Sequence, residues 1–217
     1  MNTNEIKKIK PRARKIVAQL KKLYPDSGCS LTFRTPHQLL VATILSAQCT
    51  DERVNVVTRD LFKKYRSPKA FAGAGIDELE NDIRSTGFFR NKAKAIKESA
   101  RILSNDLGGR MPRTLDEMVK LPGVGRKTGS VVLGAAFGLA EGIVVDTHVT
   151  RLSRRLELTG ENDPVKIERD LMLIIPKSDW IIYSHLLIDH GRAICKARKP
   201  ACSECSVAVF CPSDGLF

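Results

Sequence analysis

Apolar residues recur along this chain at spacings of three and four, and almost nowhere in the alternating pattern of a strand. From Pro11 to Tyr24, the residues Ile16, Leu20, Leu23 and Tyr24 share one stripe, with Lys or Arg at 12, 14, 15, 21 and 22 around it. That is the pattern of a helix with one buried face. Residues 1 to 10 read as a basic, frayed tail. Thr35-Pro36-His37-Gln38 combines a capping box with Pro at the first helical position and opens a helix through Leu39, Leu40, Ile44 and Leu45. Val54, Val57, Leu61 and Tyr65 mark the next helix, Ser67-Pro68 another start, and Ile76, Leu79 and Ile83 a short helix stopped by Gly87. A helix with Ala93, Ile96, Ala100 and Leu103 on one face carries Lys or Arg at 90, 92, 94, 97 and 101 on the other. Thr114 and Glu117 form a second capping box, Asp163-Pro164 and Ser178-Asp179 start two more helices, and Gly191 ends the last of them. Roughly ten helices with short loops predict an all-α fold.

Charge adds a partner class. Lys and Arg number 36 against 24 Asp and Glu, a net charge of +12 that calls for a polyanion or serves solubility. With 42% apolar and 28% charged residues the chain can bury one large core or two small ones, which excludes disorder. The longest nearly apolar stretch, Val131 to Ala140, spans ten residues with two Gly, well short of the ~20 a membrane helix needs. No membrane partner is expected. The stretch from Met1 to Lys8 lacks a secretory apolar run, so a cytoplasmic chain is expected, nucleoid-associated if bacterial.

Leu121-Pro122-Gly123-Val124-Gly125 separates two helical patterns, and its glycines permit a turn that passes close to something bulky. The amides of Val124, Gly125 and the following turn, including Arg126, would face outward at a helix N-terminus and suit a phosphate. An ordinary helix-turn-helix corner accounts for the glycines equally well. Lys127 sits in the first turn of the second helix, where the macrodipole disfavours a cation. Partial burial there would favour the free amine, a nucleophile; a plain phosphate contact is the alternative. Further on, an apolar run ends at Asp146, a candidate N-cap for a helix through Val149, Leu152 and Leu156. A carboxylate held so rigidly can also stabilise positive charge on a sugar ring.

Four of the six cysteines, Cys195, Cys202, Cys205 and Cys211, fall within the last 23 residues. In a reducing compartment such crowding suggests a metal centre. Ligand softness leaves a tetrahedral metal and an iron–sulfur cluster both open, whereas a single close pair instead of two leans away from a zinc ribbon. Lys196, Arg198 and Lys199 project from the loop after Cys195 as candidate phosphate contacts. Cys29 and Cys49 read as simple core or surface thiols.

Leu121 to Thr128, Val145-Asp146-Thr147-His148 and the four clustered cysteines together resemble the endonuclease III family, helix-hairpin-helix DNA glycosylases with lyase activity. The resemblance covers about Leu31 to Cys211. It implies a two-lobed fold: a six-helix lobe of residues 29–140, and a second lobe of 1–28 and 141–217 that holds a [4Fe–4S] cluster on the four cysteines. It implies a monomer acting on double-stranded DNA with an oxidised pyrimidine or an abasic site, with the damaged base flipped out of the duplex. Lys127 would attack the sugar C1′, Asp146 would be its electrostatic partner, and the Schiff base would permit β-elimination of the 3′ phosphate. Gln48 would fill the gap left by the base, Phe88 would stand at the wedge position, and His148 would face the DNA. Gly129-Ser130 departs from the Ala-Asn common in bacterial relatives, and Phe88 replaces a more usual aliphatic residue. Two rival readings are a monofunctional mismatch adenine glycosylase, which lacks an amine at the position of Lys127, and a non-catalytic helix-hairpin-helix DNA-binding protein.

Overall fold

Asn2, not Pro11, opens the first helix. Its side chain accepts the Glu5 amide at 3.0 Å while the Glu5 carboxylate accepts the Asn2 amide at 2.7 Å, a complete capping box. Helix α1 therefore runs Thr3–Leu23 with Pro11 inside it, and the frayed tail is corrected. The physical reason is burial: Ile6 and Ile9 pack against an apolar core. Two partly buried isoleucines supply on the order of 2–4 kcal/mol, comparable with the ~3 kcal/mol that an interior Pro costs.

The computed structural model describes residues 1–216. After α1 come α2 (Pro36–Ser46), α3 (Asp51–Lys64), α4 (Pro68–Gly73), α5 (Ile76–Asp82), α6 (Phe89–Arg101) and α7 (Leu115–Met118). They are followed by α8 (Arg126–Phe137), α9 (Thr147–Arg155), α10 (Pro164–Ile174) and α11 (Trp180–Ala193). No strand occurs among the described residues, and the fold is all-α. The chain divides into two compact units, Cys29–Glu141 and Met1–Gly28 with Gly142–Phe217.

In the unit Cys29–Glu141, α2 to α6 and α8, with the single turn of α7 between them, surround a core of Leu39, Leu45, Leu79, Ile96, Leu103 and Met118. Thr35 caps α2 by accepting the Gln38 amide at 3.2 Å. The Gln38 side chain, however, takes the Arg34 amide at 2.8 Å, so the reciprocal arm of the expected box lands one residue early.

Two of the five basic residues assigned to the solvent face of α6 turn inward. Lys92 is only 5% exposed and donates to the carbonyls of Leu45 and Thr86. Lys97 donates to Ala72 and Ala74, at the end of α4. Helix C-termini carry unpaired carbonyls and a negative dipole end, so a long ammonium side chain can be drawn in from a polar face.

The other unit packs α1, α9, α10 and α11 around Ile16, Leu20, Leu152, Leu171, Tyr183 and Leu186. Asp163 caps α10 with bonds from the Val165 and Lys166 amides. Arg12 on α1 donates to the carbonyls of Leu156, Glu157 and Phe210, binding the helix to the end of α9 and to the C-terminal loop. Helix α11 continues to Ala193 instead of stopping at Gly191.

Candidate functional site

The hairpin between α7 and α8 is shaped by close approach. Gly123 has φ +75°, and a Cβ there would come within 2.7 Å of the Ala95 side chain on α6. Ser99, also on α6, donates to the Pro122 carbonyl at 2.8 Å. The Val124 amide does not face outward as the sequence suggested: it closes the turn on the Leu121 carbonyl at 3.1 Å, and its side chain is buried. Val124 therefore anchors the hairpin. Gly125 is the N-cap of α8 and brings no side chain to cap the first turn. Lys127 follows in that first turn and is exposed, not partly buried. Gly129 has a steric reason of its own, because a Cβ there would lie 2.8 Å from Leu115 and 3.2 Å from Met118 on α7.

Asp146 caps α9, its carboxylate accepting the Val149 amide at 2.8 Å. Two residues on, His148 is half-buried, and its Nδ1 accepts from Arg151 at 3.2 Å, which leaves the ring proton on Nε2. Burial depresses its pKa, with Arg151 and Arg192 adding to that and Asp146 opposing. Arg151 also donates to the carbonyls of Gly191 and Cys195, so one guanidinium links the start of α9 to the start of the cysteine loop. Gly191 makes room for this contact, since a Cβ would lie 2.5 Å from the His148 ring.

Backbone conformation singles out three of the proposed DNA contacts. Among the described residues, the non-glycine positions with positive φ are Gln48 (55°), Phe88 (48°), Glu157 (46°) and Lys199 (51°). Each costs roughly 1–2 kcal/mol for an L-residue, and such strain persists only where the surroundings hold it, commonly at functional sites. Gln48 is exposed and Phe88 is 63% exposed, so neither is held there by its own burial. Lys196 and Arg198 are exposed beside Lys199. Their loop is shaped by Arg155, which donates to the carbonyls of Lys196 and Ala197.

All four clustered cysteines line one largely apolar cavity of about 30 Å³, together with Leu152, Leu156, Val207 and His190. Among the described residues no three His, Cys, Asp or Glu side chains converge closely enough for a single metal ion. The four thiols border one common space. Arg155 donates to Cys195 Sγ at 3.4 Å, and His190 Nε2 lies 3.4 Å from Cys205 Sγ. His190 Nδ1 lies 3.0 Å from the Tyr24 hydroxyl, and burial lowers its pKa to about 4. Burial raises the Cys205 thiol, and the charges of Cys195 and Cys202 raise it further. Soft donors, an apolar wall and a guanidinium aimed at sulfur all suit an iron–sulfur cluster.

Residues 41–177 match the HhH-GPD superfamily of base excision DNA repair proteins. Residues 195–211, from the first clustered cysteine to the last, match the iron–sulfur binding domain of endonuclease III. Endonuclease III of Synechocystis sp. is 56% identical over 94% of this chain and 93% of its own length. The chain belongs to the endonuclease III family. Endonuclease III of Bacillus subtilis is 47% identical over 87% of this chain and 86% of its own. The fold agrees with a solved non-covalent endonuclease III–DNA complex at a TM-score of 0.87 and 45% identity, covering 94% of this chain and 96% of that one. As an endonuclease III family member, the chain is a base excision repair DNA glycosylase and abasic-site lyase that binds DNA and carries a [4Fe–4S] cluster. The mismatch adenine glycosylase and the non-catalytic binding protein are not favoured.

Lys92, Arg151, Arg155 and His190 escape a reading of the sequence. Each acts through a backbone carbonyl or a sulfur far away in the chain, and for His190 the only signal is its position just before Cys195.

Proposed function

We propose that this family member excises oxidised pyrimidines from duplex DNA through a covalent bond to Lys127. The free amine of Lys127 attacks C1′ of the flipped nucleoside. The glycosidic bond breaks, and the base leaves with the electron pair and acquires a proton. Opening of the sugar ring gives a Schiff base; loss of a C2′ proton then expels the 3′ phosphate, and water hydrolyses the imine to release Lys127. The carboxylate of Asp146, held by the Val149 amide, stabilises the positive charge that develops on the sugar. His148 lies on the DNA-facing side, its Nε2–H available to a phosphate or sugar oxygen. The observation that carries this reading is the placement of an exposed lysine in the first turn behind a hairpin whose N-cap is glycine. A solved endonuclease III–DNA complex is itself described as a trapped covalent intermediate. The test is incubation with a duplex carrying one oxidised pyrimidine in the presence of borohydride. A covalent protein–DNA adduct, and strand cleavage when borohydride is omitted, are expected; base release with neither would contradict the lysine mechanism.

Gly123, Gly125 and Arg126 are proposed to meet the phosphates of the damaged strand, with Gln48 and Phe88 entering the duplex and Lys196, Arg198 and Lys199 gripping its backbone. Charge sets the strength of this grip, but not every basic residue contributes. On α6, Lys92 and Lys97 are spent on carbonyls, and Arg101 is paired with Glu98. Neutralising Lys196, Arg198 and Lys199 together is expected to lower the slope of log affinity against log salt by up to roughly 2.7, three contacts at ~0.9 each. Intact and damaged duplexes should weaken alike, since phosphates carry no lesion information. An unchanged slope would remove the cysteine loop from the binding surface.

Cys195, Cys202, Cys205 and Cys211 are proposed as the four cluster ligands. When bound, the cluster serves as a rigid cross-link on which the basic loop is held. The purified protein should be yellow-brown with about four irons per chain. The Cys202→Ser variant should lose colour and melt at lower temperature in the cluster-bearing unit. Stoichiometric zinc in a colourless protein would overturn the ligand assignment.

A further inference from the structure

Lys92 lies on α6 and makes no part of the reaction described above, yet it is almost wholly buried. Its Nζ donates to the Leu45 carbonyl at 2.7 Å and to the Thr86 carbonyl at 2.8 Å. Leu45 is in the last turn of α2, three residues before Gln48. Thr86 ends the 3₁₀ turn Arg84–Thr86, two residues before Phe88. Both carbonyls belong to the C-terminal ends of helical segments, where backbone acceptors lack partners and positive charge is favoured. Three residues beyond the first and two beyond the second, the chain takes a positive φ at an exposed side chain, Gln48 in one case and Phe88 in the other. One nitrogen therefore holds the roots of both strained turns. A lysine that only capped a helix would need one of these ends.

We infer that Lys92 is a positioning residue for lesion recognition, tying the Gln48 turn to the Phe88 turn so that the two side chains enter the duplex as a unit. The inference rests on the reading that Gln48 fills the gap left by the base and Phe88 acts as the wedge. If the two turns are joined through a shared anchor, the two side chains meet the duplex at one fixed spacing, so that losing either contact loosens the DNA at the other, and removing both costs little more than removing one. Independent turns would instead give losses that multiply. The hydrogen bonds of Lys92 go to the backbone carbonyls that precede the two side chains.

The experiment is a double-mutant cycle on the cluster-loaded full chain. Single-turnover excision and binding are measured on a duplex with one oxidised pyrimidine and on its intact match, for the wild type, Gln48→Ala, Phe88→Ala and the double variant. Each single change should reduce lesion discrimination. The double variant should discriminate better than the product of the two losses by about threefold or more, the scale of coupling between connected residues. The same cycle in a Lys92→Met background should give losses that multiply. Where Lys92→Met does not fold, Lys92→Gln, which keeps N–H donors on a shorter and uncharged side chain, takes its place and should weaken the coupling. Singles without effect would defeat the reading of Gln48 and Phe88 itself. Singles that matter but already multiply in the wild type would overturn the tie while leaving that reading intact. Coupling that survives the Lys92 change would also overturn it: a merely structural lysine lowers the melting temperature and leaves the coupling alone.

Discussion

Lys127→Ala should abolish covalent trapping on abasic DNA and lower strand cleavage by a factor on the order of 10⁴ or more, the scale of losing a nucleophile. DNA affinity should stay within a few-fold of wild type. The hairpin is held by Gly123 against Ala95 and by Ser99 on the Pro122 carbonyl, and none of these contacts involves the lysine side chain. Lys127 is exposed, so its removal opens no cavity and should barely alter the melting temperature. Trapping gels, cleavage rates and anisotropy titrations on one abasic duplex check all three statements. Loss of binding in step with loss of trapping would make Lys127 a phosphate contact instead.

Asp146→Asn is the second large effect, and it separates two roles that the structure joins in one side chain. Asn caps a helix about as well as Asp does, so the bond from the Val149 amide should persist and stability should change by only a few tenths of a kcal/mol. The charge is lost, and with it the stabilisation of a cationic sugar. Turnover should fall by roughly 10²–10³, the usual scale for removing one preorganised electrostatic group, with binding little changed. If Asp146 were only a cap, the asparagine variant would turn over at nearly the wild-type rate.

Lys127 stood out as a candidate because a lysine at the positive end of a helix runs against propensity, whereas Asp146 was legible first as an N-cap. The helical fold was legible through its period and caps, with Thr35, Thr114, Asp146 and Asp163 found as N-caps. What could not be read is what depends on contacts between distant segments. Pro11 looked like a start because the Asn2–Glu5 box and the burial of Ile6 and Ile9 become decisive only once α1 packs. Lys92 and Lys97 looked solvated because helical phase assigns a long side chain to a face without showing where its tip reaches. The Val124 amide looked available because the turn that uses it is a matter of backbone angles. Gly129, by contrast, looked like a departure from the family and proves to be where α8 passes close to α7.

The account rests on a bond between Lys127 and the sugar, and locating that bond tests it most directly. The borohydride-trapped adduct with abasic DNA can be digested with nuclease and protease and the modified peptide sequenced by mass spectrometry. The mass of the reduced sugar remnant is predicted on Lys127, within the segment that follows Leu121-Pro122-Gly123-Val124-Gly125. A remnant on any other amine of the chain would contradict the mechanism.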